Sequence, residues 1–130
     1  MEKERVKNLI ADLEKALKRL EEALDLTPSE IHQDATIQRF EFSFELSWKL
    51  MQAVLRSQGI VCVSPKGCIR DSVRLDLIDN PEVWFGFLEA RNLVSHTYNE
   101  KQAKAVYGVA KKFLPQALIF LQNCRSSREK

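Results

Sequence analysis

The chain has 130 residues, of which 45% are hydrophobic and 29% charged, and its formal net charge is +2 at pH 7. That balance describes a single folded soluble domain and excludes a disordered chain. A charge so close to neutral is no argument for nucleic acid by itself.

The three cysteines, Cys62, Cys68 and Cys124, have no CxxC spacing. They predict neither a zinc site nor a disulfide framework, but reduced thiols in a reducing compartment. The chain opens on the charged run MEKERVKN, unlike a signal peptide. No run of about 18 apolar residues predicts a membrane span. A cytoplasmic location with no membrane contact is the expectation.

The first predicted helix covers residues 3–24. Val6, Leu9, Ile10, Leu13, Ala16, Leu17, Leu20 and Leu24 fall at steps of three and four and draw one apolar stripe. Glu14 and Lys18 form a favourable i,i+4 pair on the charged face. Thr27-Pro28-Ser29-Glu30 has the spacing of a capping box and opens the second helix, either there or after one short turn near Asp34. The segment Phe40–Leu46 alternates like a strand, but the longer window is helical. Ile37, Phe40, Phe44, Trp48, Met51 and Leu55 form one stripe, and Phe42, Leu46, Leu50 and Val54 a second. A helix apolar on two sides is central and buried. A narrow polar seam, with Gln38, Glu41, Glu45, Lys49, Gln52 and Arg56, lies between the stripes. Within it Glu41 and Glu45 face Arg91 or Lys49, and no third ligand makes them a metal site. Gly59 is the natural stop.

Residues 60–63 are β-prone but isolated, and predict an extended connection. Ser64-Pro65 opens a third helix to about Ile78, and Asn80-Pro81 a fourth with Val83, Trp84, Phe87, Leu88, Ala90 and Val94 as its apolar positions. Asn99–Gln102 has capping-box spacing for a fifth helix, in which Pro115 predicts a kink. The fold class is therefore all-α, a five-helix up-and-down bundle of the four-helix-bundle type with a kinked C-terminal helix. The bundle is assigned to residues 1–124, with 125–130 a polar tail.

The end of the fourth helix reads Arg91-Asn92-Leu93-Val94-Ser95-His96-Thr97-Tyr98. This R-x4-H-x-Y motif resembles that of the HEPN domains paired with minimal nucleotidyltransferases. The segment Gln38–Lys49 is similar to that group's second-helix signature. Ser64-Pro65, Trp84 and Leu114-Pro115 extend the resemblance over the chain. It implies an endoribonuclease toxin needing neither metal nor cofactor, with Arg91 and His96 catalytic, Asn92 and Ser95 supporting, and Tyr98 modified by AMP transfer from the partner. RNA or a nucleotide is then the ligand. The same group also carries a second interpretation, a non-catalytic substrate-binding subunit of a two-component nucleotidyltransferase.

The residue types suit the chemistry. Histidine exchanges protons near neutrality, and arginine offers a permanent cationic fork to phosphate oxygens. On an ideal helix Arg91 and His96 point about 140° apart. They do not share a face, whereas Arg91 lines up with Ser95 and Tyr98, and Asn92 with His96. A homodimer, with the fourth helix at or near the interface, is the expected solution.

Overall fold

The computed structural model describes residues 2–26, 29–94 and 99–129. These hold five α-helices: α1 (Glu2–Asp25), α2 (Glu30–Ser57), α3 (Pro65–Arg74), α4 (Pro81–Val94) and α5 (Glu100–Glu129). No strand occurs among the described residues, and residues 60–63 link α2 to α3 without regular structure.

Side-chain caps start the helices. Ser29 caps α2 by accepting from the His32 amide, so the cap falls on Ser29, while Thr27 and Pro28 lie outside the described residues. Ser64 accepts from Gly67 N with Pro65 in the first turn of α3. Asn80 Oδ1 accepts from Glu82 N at 2.9 Å before α4, and Asn99 Oδ1 from Gln102 N at 2.9 Å before α5. Each satisfies an amide that the helix itself leaves unpaired.

Two helices end in the same type of turn. Gly59, with φ 81°, donates to the Arg56 carbonyl, and Ile60 N donates to the Leu55 carbonyl, closing α2. Asp76, with φ 56°, donates to Val73 O, and Leu77 N donates to Ser72 O. α3 therefore stops at Arg74, a turn short of the expected Ile78. The stop is a left-handed aspartate, a residue that tolerates this conformation without advertising it as glycine does. α5 runs through Pro115, which is exposed, so the carbonyl of Lys111 that loses its donor belongs to an exposed residue. The polar residues beyond Cys124 continue α5 to Glu129, and Arg125 pairs with Glu14 of α1.

α2 is the axis of the bundle, packed against α1, α3, α4 and α5. Its first stripe is buried as predicted, with Phe40, Phe44, Met51 and Leu55 sealed and Trp48 partly so. The second stripe is only half buried. Leu50 and Val54 are inside, but Phe42 is 59% exposed. Ser43 and Ser47 take the interior positions beside it, and Ser47 Oγ donates to the Ser43 carbonyl at 2.8 Å. On α1 the predicted stripe is buried from Val6 to Leu20. Arg39 of α2 donates to the Arg19 carbonyl of α1 at 2.7 Å, and the Glu14–Lys18 pair forms on the outer face.

The core centres on Phe113. Its ring meets Phe40 and Phe87 edge-on at 5.2 Å, Trp84 at 5.7 Å and Phe44 at 6.4 Å. Three helices are thus fixed to one another through a single side chain.

The cysteine expectation is corrected. Cys62 and Cys68 are joined by a disulfide. The extended link and the Ser64 cap fold the chain back so that their Cα atoms lie 5.2 Å apart, a closeness that spacing along the chain does not reveal. Cys124 remains a free thiol, fully buried, and burial pushes its pKa up.

Phe113→Ala should cost about 3–5 kcal/mol of unfolding free energy, because it removes the shared partner of four rings and leaves a cavity. Phe113→Leu should cost clearly less. Chemical denaturation of the two variants against wild type checks both.

Candidate functional site

Arg91 lies in the last turn of α4. Trp84, Phe87 and Ala90 face the core, and this turns the Arg91 stem toward α2. Its side chain is 22% exposed. The guanidinium stands 5.6 Å over the ring of Phe44, a cation–π placement on a fully buried ring. Nη2 lies 2.7 Å from Glu45 Oε1. Nη1 donates to Asn92 Oδ1 at 3.2 Å. Nε is buried without a partner among the described residues.

Glu45 is held from its other side as well. Trp48 Nε1 donates to Glu45 Oε2 at 2.9 Å. One carboxylate thereby joins a motif residue on α4 to the signature segment of α2. Glu41 lies one helical turn before Glu45 on the same face. Burial lifts its carboxyl above the usual value, the Arg91 cation pulls it down, and the Glu45 charge adds to the rise. Glu41 and Glu45 are thus the part of the polar seam that faces α4, with Arg91 as their counter-ion.

The expected site is described in part. Arg91 and Asn92 are hydrogen-bonded to each other at the end of α4. Ser95, His96 and Tyr98 lie outside the described residues, so the spacing between Arg91 and His96 rests on helical geometry alone. The sequence places Glu45 in a seam facing Arg91 or Lys49, and Arg91 is the partner it meets. Trp48 and Phe44 read there as core packing only. The signal for Trp48 is its i,i+3 spacing from a carboxylate, which sets an indole N–H within reach of it. Among the described residues no group of three or more His, Cys, Asp or Glu could hold a metal, and no helix is long and apolar enough to cross a membrane.

This bundle, with an R-x4-H-x-Y sequence that begins at Arg91 in the last turn of α4, is the helical fold of the HEPN proteins associated with nucleotidyltransferases. The chain belongs to the family described as nucleotidyltransferase substrate binding protein like, whose model matches residues 8–126. It is 33% identical over 114 residues to the probable ribonuclease HepT of Haemophilus influenzae, covering 81% of this chain and 77% of that protein. A crystal structure from Thermus thermophilus superposes with a TM-score of 0.81 at 38% identity, over 87% of this chain and 98% of that one. A tri-AMPylated HEPN toxin of Shewanella oneidensis, solved in complex with an MNT antitoxin, superposes with a TM-score of 0.77 over 93% of this chain and 96% of that one. Its identity is 19%, so that likeness is one of fold.

The raised Glu41 carboxyl has a consequence for stability. A carboxyl whose pKa rises on folding binds its proton more tightly in the folded state, so stability falls as pH climbs from the unfolded to the folded value. Above the folded-state value the full cost is present. Below about pH 4 both states are protonated and the cost is gone. Glu41→Gln should therefore raise the thermal midpoint at pH 7 and give no gain in acid. Paired melting curves across that range check it.

Proposed function

We propose that this chain is a HEPN toxin-like endoribonuclease, silenced when a cognate minimal nucleotidyltransferase transfers AMP to it. The observation that carries this reading is the Arg91 guanidinium, partly exposed at the end of α4 and oriented by Glu45, Asn92 and the Phe44 ring. The family match and the similarity to a probable ribonuclease support it.

In this reading His96 takes the proton from a ribose 2′-hydroxyl. The 2′-oxygen attacks the adjacent phosphorus, and Arg91 stabilises the charge that develops on the phosphoryl oxygens. The 5′-oxygen departs with a proton, leaving a 2′,3′-cyclic phosphate and a 5′-hydroxyl. Asn92 and Ser95 support the arginine and the histidine, and no metal takes part. Arg91 is held against α2, so the acid–base groups come together in a homodimer with α4 at or near its interface. Silencing runs through Tyr98. Its oxygen attacks the α-phosphorus of an ATP presented by the partner, and pyrophosphate leaves. The attached phosphodiester would add a negative charge that competes for the Arg91 guanidinium, and the bulky nucleotide would obstruct RNA sterically. The solved relative from Shewanella is itself AMPylated and bound to an antitoxin. The location consistent with this role is the cytoplasm.

One observation favours a second reading. Arg91 already has a carboxylate partner, which suits a subunit that holds a nucleotide for the transferase and does no chemistry.

The two readings separate experimentally. Under the first, purified wild type cuts RNA in the presence of a chelator and leaves cyclic phosphate ends, and His96→Ala loses about 10²–10⁴ of that rate. Tyr98→Phe keeps the cleavage and resists silencing by the transferase with ATP, and intact mass shows AMP additions mapping to Tyr98 in wild type. No cleavage by wild type, with unimpaired nucleotide binding, would establish the substrate-presenting subunit instead. Sedimentation at micromolar concentration should give a dimer, whose interface should bury more than about 1,000 Å².

A further inference from the structure

We infer that Glu45 is the positioning residue of the site, a carboxylate that sets the orientation of the Arg91 guanidinium and is itself locked by the Trp48 indole; this rests on the nuclease reading above. Stability is not what the pair provides. Its side chains are 22% and 37% exposed, and ion pairs so open to water add little to stability. What the arrangement does supply is direction.

Glu45 uses both of its oxygens, and for donors on different helices. Oε1 lies 2.7 Å from Arg91 Nη2 of α4, and Oε2 accepts from Trp48 Nε1 of α2 at 2.9 Å. Trp48 is packed against the core, so its N–H has little freedom. The carboxylate plane follows from that N–H, and the guanidinium follows from the carboxylate. Phe44 closes the remaining face, with its ring 5.6 Å from the guanidinium carbon. Core packing is thus transmitted to the motif arginine through three side chains.

The donor count leaves a defined working edge. A guanidinium carries five N–H groups. Glu45 engages one on Nη2, Asn92 takes one on Nη1, and Nε is buried. The two remaining Nη hydrogens are those a phosphoryl group can use. Only a carboxylate fits the role. Glutamine at position 45 has a single acceptor oxygen, so one of the two donors would face an amide N–H₂. Aspartate is one methylene shorter and cannot span both.

The same carboxylate also competes with a phosphate for Arg91. Removing it therefore has opposite effects on binding and on turnover. The guanidinium becomes more available to a phosphodiester, but it is no longer aimed. A misplacement of about 1 Å is enough to cost roughly a hundredfold in rate.

The test measures kcat and KM on an oligoribonucleotide for wild type, Glu45→Gln and Trp48→Phe, with melting curves to confirm folding. Glu45→Gln should lower kcat by about tenfold to a hundredfold, with KM equal to or below wild type. Trp48→Phe should shift both in the same direction by less. In an Arg91→Lys background, Glu45→Gln should add nothing further, because the residue it positions is gone. A rise in KM, an unchanged kcat, or full additivity with Arg91→Lys each overturns the positioning role. Cleavage absent from wild type overturns the nuclease reading together with this role, whereas cleavage present and equal in Glu45→Gln overturns this role alone.

Discussion

Phe113 stands where α2, α4 and α5 meet, and its ring touches an aromatic from each of the other two helices. Trp84 extends the cluster to Phe120 at 5.5 Å, and Phe40 and Phe44 lie 6.4 Å apart along α2. Edge-on contacts of this kind have preferred angles as well as preferred distances. They fix how α4 rotates about its own axis. Once Trp84 and Phe87 are seated, Arg91 has only one direction left, toward the polar seam of α2. The site is a consequence of the core.

The seam explains why α2 carries charge at all. Gln38, Lys49 and Arg56 of the seam face water, but Glu41 and Glu45 are half-buried. Glu41 and Glu45 sit there at a cost, visible in the Glu41 carboxyl that burial pushes upward. Glu45 recovers part of that cost from two donors, but Glu41 has only the more distant attraction of Arg91. The second-helix signature and the motif on α4 are then not two independent marks of a family. They are the two halves of one contact.

Much of this was legible in the sequence because the signals were local. Ser64-Pro65, Asn80-Pro81 and Asn99 each name a helix start through a side chain that caps its own neighbours. Gly59 names a helix end through a conformation that glycine adopts freely. The failures share a physical cause, which is that the deciding partner is distant or the residue is atypical. Asp76 ends α3 in the left-handed region without being glycine. The Cys62–Cys68 bond depends on a turn in space. Phe42 looked like core by spacing but lies on the outer edge of its stripe. The Glu45–Arg91 contact was half legible: the sequence put Glu45 opposite Arg91 or Lys49, and the packing around Phe113 selects Arg91.

A paired arginine is a weak lure for a phosphate, and this bears on how the site must be completed. Within the described residues the Arg91 charge is balanced by Glu45 at 2.7 Å, with Glu41 a turn away. An incoming anion would raise the Glu41 pKa further, since a nearby like charge favours the neutral form. The net attraction in one chain is small. Under the proposed function, the remaining positive charge would have to come from outside the single bundle. In the proposed homodimer, a second copy packed at or near α4 would bring that charge. Such a partner would supply what a neutralised arginine lacks, and this gives the proposed dimer a chemical reason independent of any buried area.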